Sequence, residues 1–350
     1  MQQTDFGNMM EMIDDAETIA ITMHIRPDGD SIGTSLALKE ALRDIMPTTS
    51  GNPRQVYVFS EDIDIVFQNN FASMRGFSKI APASGIVLDD SGIRFHHNTP
   101  YTEVQLPHFD LLVVVDAGET HRLGENAKLV EASKHVIVFD HHINPTMPCD
   151  LLVNNTTRAS CGEMLFEFLT LNNIEITKSM AEAMYTAVAS DTGCFLFPNT
   201  THYTHHVASE LMKLDIDAAG INYRNFRAYD AKSLGGFTRV LSEIQFLNDG
   251  KVTLTYLPFW MQQKYQFDHE EKHRFKKYAT DAKGVKVSIF ITEQEKGEFN
   301  VSLRSIGDIN VAELANKFGG GGHKNAAGFS TTTAYKTFTA ELLAEVERVV

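Results

Sequence analysis

The triplet Asp140-His141-His142 closes the run Lys134-His-Val-Ile-Val-Phe139, which reads as a buried strand, so a carboxylate and two imidazoles arrive together at a strand's end. Open α/β sheets collect ligand-binding groups just outside the carboxyl ends of their strands. Three further segments repeat the arrangement. Ile19-Ala-Ile-Thr-Met23 runs into His24-Ile-Arg-Pro-Asp28-Gly-Asp30, Leu111-Leu-Val-Val-Val115 into Asp116-Ala-Gly118, and Ala187-Val-Ala-Ser190 into Asp191-Thr-Gly193. One such strand end is a weak sign of a site; four together are a strong one.

The apolar runs near 19–23, 56–59, 111–115 and 136–139 are continuous, the pattern of parallel strands covered on both faces. Helical spacing follows the first strand over Ser31–Ile45 and the strand at 136–139 over Cys161–Leu169. The expected fold is therefore α/β, beginning with a doubly wound, mostly parallel βαβ domain. The stretch 61–108 reads as variable helix and loop, with no legible function. Beyond Asp191, Val207–Leu214 and Ser233–Phe246 predict a helical connector. Alternating segments at Val252–Tyr256, Val285–Phe290 and Phe299–Leu303 then predict a smaller α/β domain with a mixed sheet, ending in a helix from Thr339 to Val349. The expected division is a catalytic domain at 1–205, a helical linker at 206–245 and a second domain at 246–350.

With 350 residues, 43% of them hydrophobic, the chain is long enough for two domains that each bury a core. Cys149, Cys161 and Cys194 show neither Cys-x-x-Cys spacing nor an even count, which argues against a disulfide framework and a thiolate zinc site. No run approaches the roughly 18 apolar residues of a membrane span, and the first residues lack a basic-then-apolar leader, so a soluble cytoplasmic protein is expected, with no membrane partner. The net charge of −14 disfavours a large footprint on duplex nucleic acid, which depends on neutralising many phosphates. Short or small phosphorylated substrates remain open.

The chemistry follows from residue type. In Asp28-Gly-Asp30 the glycine permits a tight turn, so two carboxylates diverge from one loop while His24 approaches from the strand end. Adding Asp116, His141 and Asp191 gives six oxygen and nitrogen ligands without sulfur, a set suited to Mn²⁺ or Mg²⁺. Each element also has a bland reading: Asp-x-Asp is more often a turn or helix cap, and a lone strand-end Asp is as often a cap. Their joint position at strand ends favours the site. His96-His97 and His205-His206 serve as controls, since the first pair lies in a polar stretch and the second opens a helix; both read as surface or core histidines.

In the second domain, Phe318-Gly-Gly-Gly-Gly-His323 stands out, because four successive glycines lose much conformational entropy on ordering. Close backbone approach to an anion, with His323 and Arg304 as donors, explains them better than a flexible surface loop. The basic run Lys272-His-Arg-Phe-Lys-Lys277 follows Glu270 and Glu271 and reads first as a solvated helix face.

Taken in order, His24-x-x-x-Asp28-x-Asp30, Asp116, Asp140-His-His142, Asp191, Arg304 and Gly319-Gly-Gly-Gly-His323 resemble the DHH/DHHA1 phosphoesterases over nearly the whole chain. Within that family the chain is most similar to the stand-alone oligoribonuclease and pAp (3′-phosphoadenosine 5′-phosphate) phosphatase group. The resemblance implies two Mn²⁺ per site, with Mg²⁺ or Co²⁺ as substitutes. One would be held by His24, Asp28 and Asp116, the other by Asp30, Asp116, His141 and Asp191. It further implies that His142 faces the scissile phosphate, that Asp140 orients a histidine, and that Arg304, Ser305, Gly320, Gly321, Gly322 and His323 hold the rest of the substrate. The implied activity is hydrolysis of short single-stranded RNA to mononucleotides and of pAp to AMP, and a homodimer is left open. A cyclic or linear dinucleotide phosphodiesterase is the alternative, with a pyrophosphatase, an exopolyphosphatase or a non-catalytic nucleotide-binding regulator ranked below it. The charged segment Phe267–Lys277 departs from the family pattern.

Overall fold

A computed structural model describes residues 5–46, 48, 51, 54–61, 74, 86–89, 92–95, 108–228, 231–267, 269–295 and 297–350. It divides into two compact units, Met1–Ala228 and Tyr229–Val350, and the division falls inside the 206–245 segment. Among the described residues no helix is long and apolar enough to cross a membrane.

The first unit is built on a five-stranded parallel sheet in the order β2-β1-β5-β6-β7, from β1 (Thr18–Met23), β2 (Gln55–Phe59), β5 (Phe109–Val115), β6 (Ser133–Asp140) and β7 (Leu151–Asn154). Alternate residues of these strands feed two separate cores. Ile19, Ile21, Val113, Val115, Ile137 and Phe139 pack under the helices Phe6–Asp14, Gly29–Glu40, Cys161–Leu171 and Lys178–Asp191. Ala20, Leu112, Val114, Val136 and Val138 pack on the opposite face with Phe59 and Leu129. Burial on both faces is why the strand sequences run continuously apolar, each large aliphatic contributing about 1.5–3 kcal/mol. The order reverses between β1 and β5, so a crevice opens beyond the carboxyl ends of those two strands. Buried Arg54 donates to the backbone carbonyls of Ile13, Ala16, Leu42 and Met46, satisfying acceptors near helix ends.

The structure changes several sequence expectations. Ala187–Ser190 is not a strand: it is the last turn of the helix Lys178–Asp191. A short apolar run has the same signature in a buried helix as in a buried strand, and here it faces the helix Gly29–Glu40. The 61–108 stretch lies mostly outside the described residues, but it contains an antiparallel pair, β3 (Ile86–Asp89) and β4 (Gly92–Phe95), in place of the expected helix and loop. His96 and His97 lie outside the described residues.

The second unit carries a six-stranded mixed sheet, β12-β13-β11-β10-β9-β8, formed by β8 (Gln245–Leu247), β9 (Val252–Leu257), β10 (Val287–Glu293), β11 (Phe299–Ser305), β12 (Gly321–His323) and β13 (Ala326–Thr331). The helix expected to reach Phe246 ends at Ser242, and β8 follows. β9 and β10 run parallel and the other neighbours antiparallel. Val311, Leu314, Phe338, Leu342 and Val346, from the helices Val311–Lys317 and Tyr335–Glu347, cover one face. Phe275, Phe267 and Val240 pack with Phe290 on the other.

Candidate metal centre

His24 directly follows β1, and its Nδ1 lies 2.8 Å from the Ile25 carbonyl. A carbonyl only accepts, so in the neutral ring Nδ1 carries the proton and Nε2 presents its lone pair. That Nε2 faces Asp116 Oδ2 at 3.3 Å and Asp28 Oδ2 at 3.8 Å. Asp28 caps the helix Gly29–Glu40, its Oδ1 accepting from the amides of Asp30 and Ser31, which leaves Oδ2 for the crevice. The cap and ligand readings of this residue are therefore compatible. Asp30 is fully buried and accepts from the amides of Cys161 and Gly162, at 2.7 and 2.9 Å, at the start of the helix Cys161–Leu171. The positive end of that helix favours a carboxylate here.

Asp116 is the hub. It stands just after β5 with φ of +59°, a left-handed conformation that Asp tolerates better than most residues, and its amide donates to the Phe139 carbonyl. Its carboxylate lies within 3.5 Å of His24, His141 and His142. His141 directs Nδ1 at the Arg158 carbonyl, 3.3 Å away, and turns Nε2 toward Asp191, Asp116 and Asp30 at 3.1, 3.5 and 3.8 Å. Asp191 reaches the group from the end of a helix rather than of a strand. His142 is arranged differently: Nδ1 lies 2.8 Å from Asp140 Oδ1, which also accepts from the backbone amides of both histidines. Its ring is half-exposed, so Nε2 is left for something outside the cluster.

The electrostatics follow from crowding carboxylates in a buried crevice. Burial opposes protonation of His24 and His141, but Asp116, with Asp28 beside the first and Asp191 and Asp30 beside the second, outweighs it and raises them to about 10 and about 12. Burial and mutual repulsion push Asp191 up to about 7 and Asp30 well above the ordinary carboxylate range. A field that holds protons this tightly also holds cations. The buried atoms without a hydrogen bond include His24 Nε2, His141 Nε2, Asp116 Oδ1 and Asp140 Oδ2. Imidazole nitrogens that face carboxylates without bonding them are what divalent ions need. The donors His24, Asp28 and Asp116 lie within one ion's reach, as do Asp30, Asp116 and His141, and Asp116 belongs to both sets. The all-oxygen-and-nitrogen chemistry fits Mn²⁺ or Mg²⁺.

Sequence reasoning overlooked two things here. Cys161 Sγ joins the Asp30–Asp116–His141 group, although burial and the surrounding carboxylates raise its thiol well above its ordinary value, so it stays uncharged. Arg158, whose carbonyl orients His141, is itself pinned by Glu167 at 2.9 Å and lies 3.7 Å over the Tyr203 ring. Neither residue carries a one-dimensional signal. The control pair His205-His206 sits in the helix His202–Met212, packed on Phe195 and Phe166 and outside the cluster.

The remaining site candidates lie in the second unit. Arg304, on β11, donates Nη1 to the Leu303 carbonyl, and Ser305 Oγ donates to the Ile309 carbonyl. Much of the glycine run is edge strand, not loop. Gly319 and Gly322 have φ of +78° and +140°, and a Cβ on Gly320 would meet the Gly328 carbonyl oxygen at 2.2 Å, so these three are required by the hairpin's own backbone. A Cβ on Gly321 would meet only ordinary contact, with Asn316 Oδ1 at 3.6 Å, and His323 is exposed.

The sequence matches the family models for the DHH family, N-terminal domain, over residues 18–188 and for the DHHA1 domain over 260–350. It is 29% identical to the bifunctional oligoribonuclease and PAP phosphatase of Thermus thermophilus, covering 89% of this chain and 83% of that protein. It is 25% identical to the probable bifunctional oligoribonuclease and PAP phosphatase of Streptococcus mutans, covering 93% of each. The fold matches that of an exopolyphosphatase-related protein from Bacteroides fragilis with a TM-score of 0.78 at 24% identity, covering 97% of this chain and 94% of the other. With both models matched in order along one chain, and the Asp and His residues of the first gathered in one crevice, the protein belongs to the DHH/DHHA1 family of phosphoesterases.

Proposed function

We propose that the protein is a Mn²⁺-dependent hydrolase that cleaves short oligoribonucleotides to mononucleotides and converts pAp to AMP. The observation that carries the reading is Asp116, whose carboxylate is shared by two donor sets with unsatisfied buried ligand atoms. The naming of the Thermus thermophilus and Streptococcus mutans proteins supports the substrate class. His24, Asp28 and Asp116 would hold one cation, and Asp30, Asp116, His141 and Asp191 a second. Bound there, divalent cations supply Lewis acidity that lowers the pKa of water and offsets charge on a phosphoryl group.

The chain's own groups do the rest. Asp140 accepts from His142 Nδ1, which sets the ring's direction and raises the imidazole above its ordinary value, and the half-exposed ring leaves Nε2 to face a phosphate oxygen. Arg304, Ser305, Gly320, Gly321, Gly322 and His323 hold the part of the substrate that does not react, so that binding energy away from the scissile bond orients it. No protein nucleophile is needed: Ser160 is engaged as the cap of its helix and Cys161 is buried as a thiol.

The test is purified protein with Mn²⁺, and again with excess chelator, on pAp, 5-mer and 24-mer RNA, a cyclic dinucleotide and pyrophosphate. The expected result is turnover of pAp and the 5-mer, little of the others, and none with chelator. Full activity in chelator, or preference for the cyclic dinucleotide or pyrophosphate, would overturn the reading.

A further inference from the structure

Asn154, the last residue of β7, takes no part in the reading above. β7 is an edge strand, and Asn154 lies in register with Asp140, the last residue of β6. From there its side chain reaches around the end of β6: Nδ2 donates to the Asp140 carbonyl at 2.9 Å and to the His142 carbonyl at 3.0 Å. A carbonyl only accepts, so the amide must turn its NH₂ group toward the pair, and both hydrogens are used.

Packing does little to fix the turn that these bonds hold. His142, Ile143 and Asn144 are exposed, Ile143 to 79%, and Asn144 has φ of +56°. Hydrogen bonds therefore set where the His142 backbone lies. Asp140 Oδ1 takes the donors of the turn, the amides of His141 and His142 and the His142 ring Nδ1, while Asn154 takes two of its acceptors. His141 has a hold of its own, with Nδ1 against the Arg158 carbonyl and Nε2 facing Asp191 and Asp116. Loss of the Asn154 donor thus frees His142 more than it frees the cation ligands.

We propose that Asn154 is a positioning residue for His142, aiming its Nε2 at the scissile phosphate by fixing the carbonyl side of the turn. This rests on the reading that His142 faces that phosphate, and it adds a residue of the neighbouring strand to the machinery.

The experiment compares Asn154→Asp, which keeps the shape but offers no donor, with Asn154→Ala, in wild-type and His142→Ala backgrounds. Both substitutions should lower kcat on pAp and a 5-mer RNA by about tenfold, the size of one neutral hydrogen bond's net contribution, with KM and Mn²⁺ stoichiometry retained. In the His142→Ala background neither should cost anything further, because the effect travels through His142. The His142 ring N–H resonance of the Mg²⁺-loaded protein, assigned by its loss in His142→Ala, should move in both variants. An Asp variant as active as wild type, a tenfold loss that persists without His142, loss of Mn²⁺, or an unmoved ring resonance would overturn the assignment of Asn154. Full activity of His142→Ala, with the resonance displaced in Asn154→Asp, would instead refute the role of His142 in the proposed function and leave Asn154 as the residue that sets its ring.

Discussion

Titrating Mn²⁺ into the chelator-stripped protein should release protons, and the structure sets how many. In the metal-free protein His24 is raised from 6.5 to about 10 and His141 from 6.5 to about 12, so both are imidazolium at pH 7.5. A ligand nitrogen must be deprotonated, and at 1.36 kcal/mol per pKa unit displacing these protons at pH 7.5 costs about 3 and about 6 kcal/mol. Asp191, near 7, and Asp30, pushed above the ordinary carboxylate range by burial and its acidic neighbours, add to the two imidazole protons, giving about two or more protons per fully loaded site. The sign is fixed by linkage: metal affinity rises with pH between 6.5 and 8.5, by about tenfold per pH unit for each ion that displaces one imidazole proton and about a hundredfold for loading both. Stability of the metal-free protein moves the opposite way. The raised imidazoles stabilise it fully below 6.5, and that contribution is lost as pH climbs through 10; the raised carboxylates act in the same direction from 3.8 upward. Calorimetric titration in buffers of different ionisation enthalpy gives the proton count directly. A count near zero at pH 7.5, with Mn²⁺ bound, would show that the imidazoles are already neutral and that the carboxylate field is much weaker than argued.

Asp116→Asn keeps a residue that tolerates the left-handed backbone but removes the shared charge, and should lower kcat by roughly three orders of magnitude, about 4 kcal/mol. His205→Ala and His206→Ala should change kcat little, and comparable losses in the two groups would refute the assignment of the cluster. Gly33→Ala would place a Cβ 2.3 Å from the Ala183 carbonyl oxygen and force the helices Gly29–Glu40 and Lys178–Asp191 apart, costing about 1–3 kcal/mol in urea unfolding. An unchanged midpoint would mean that this contact adjusts freely.

What the sequence alone determined was the chemistry and most of the frame. Four strands of the first sheet, β1, β2, β5 and β6, were legible because strands buried on both faces have no polar alternation, and His24, Asp116 and the Asp140 triplet were legible because they interrupt such runs where a parallel sheet collects ligands. Asp28 and Asp30 were legible from the glycine between them. Only the tertiary structure showed that Asp191 arrives from a helix, that Asp30 rests on the amides of Cys161 and Gly162 some 130 positions later in the chain, and that Arg158 aligns His141. Those relations are distances between elements remote in sequence, and periodicity carries no information about them. The glycine run shows the same division. Its abnormal composition marked it as special, but three of its glycines are required by the backbone of its own hairpin, a requirement set by dihedral angles and strand spacing that one-letter composition does not encode.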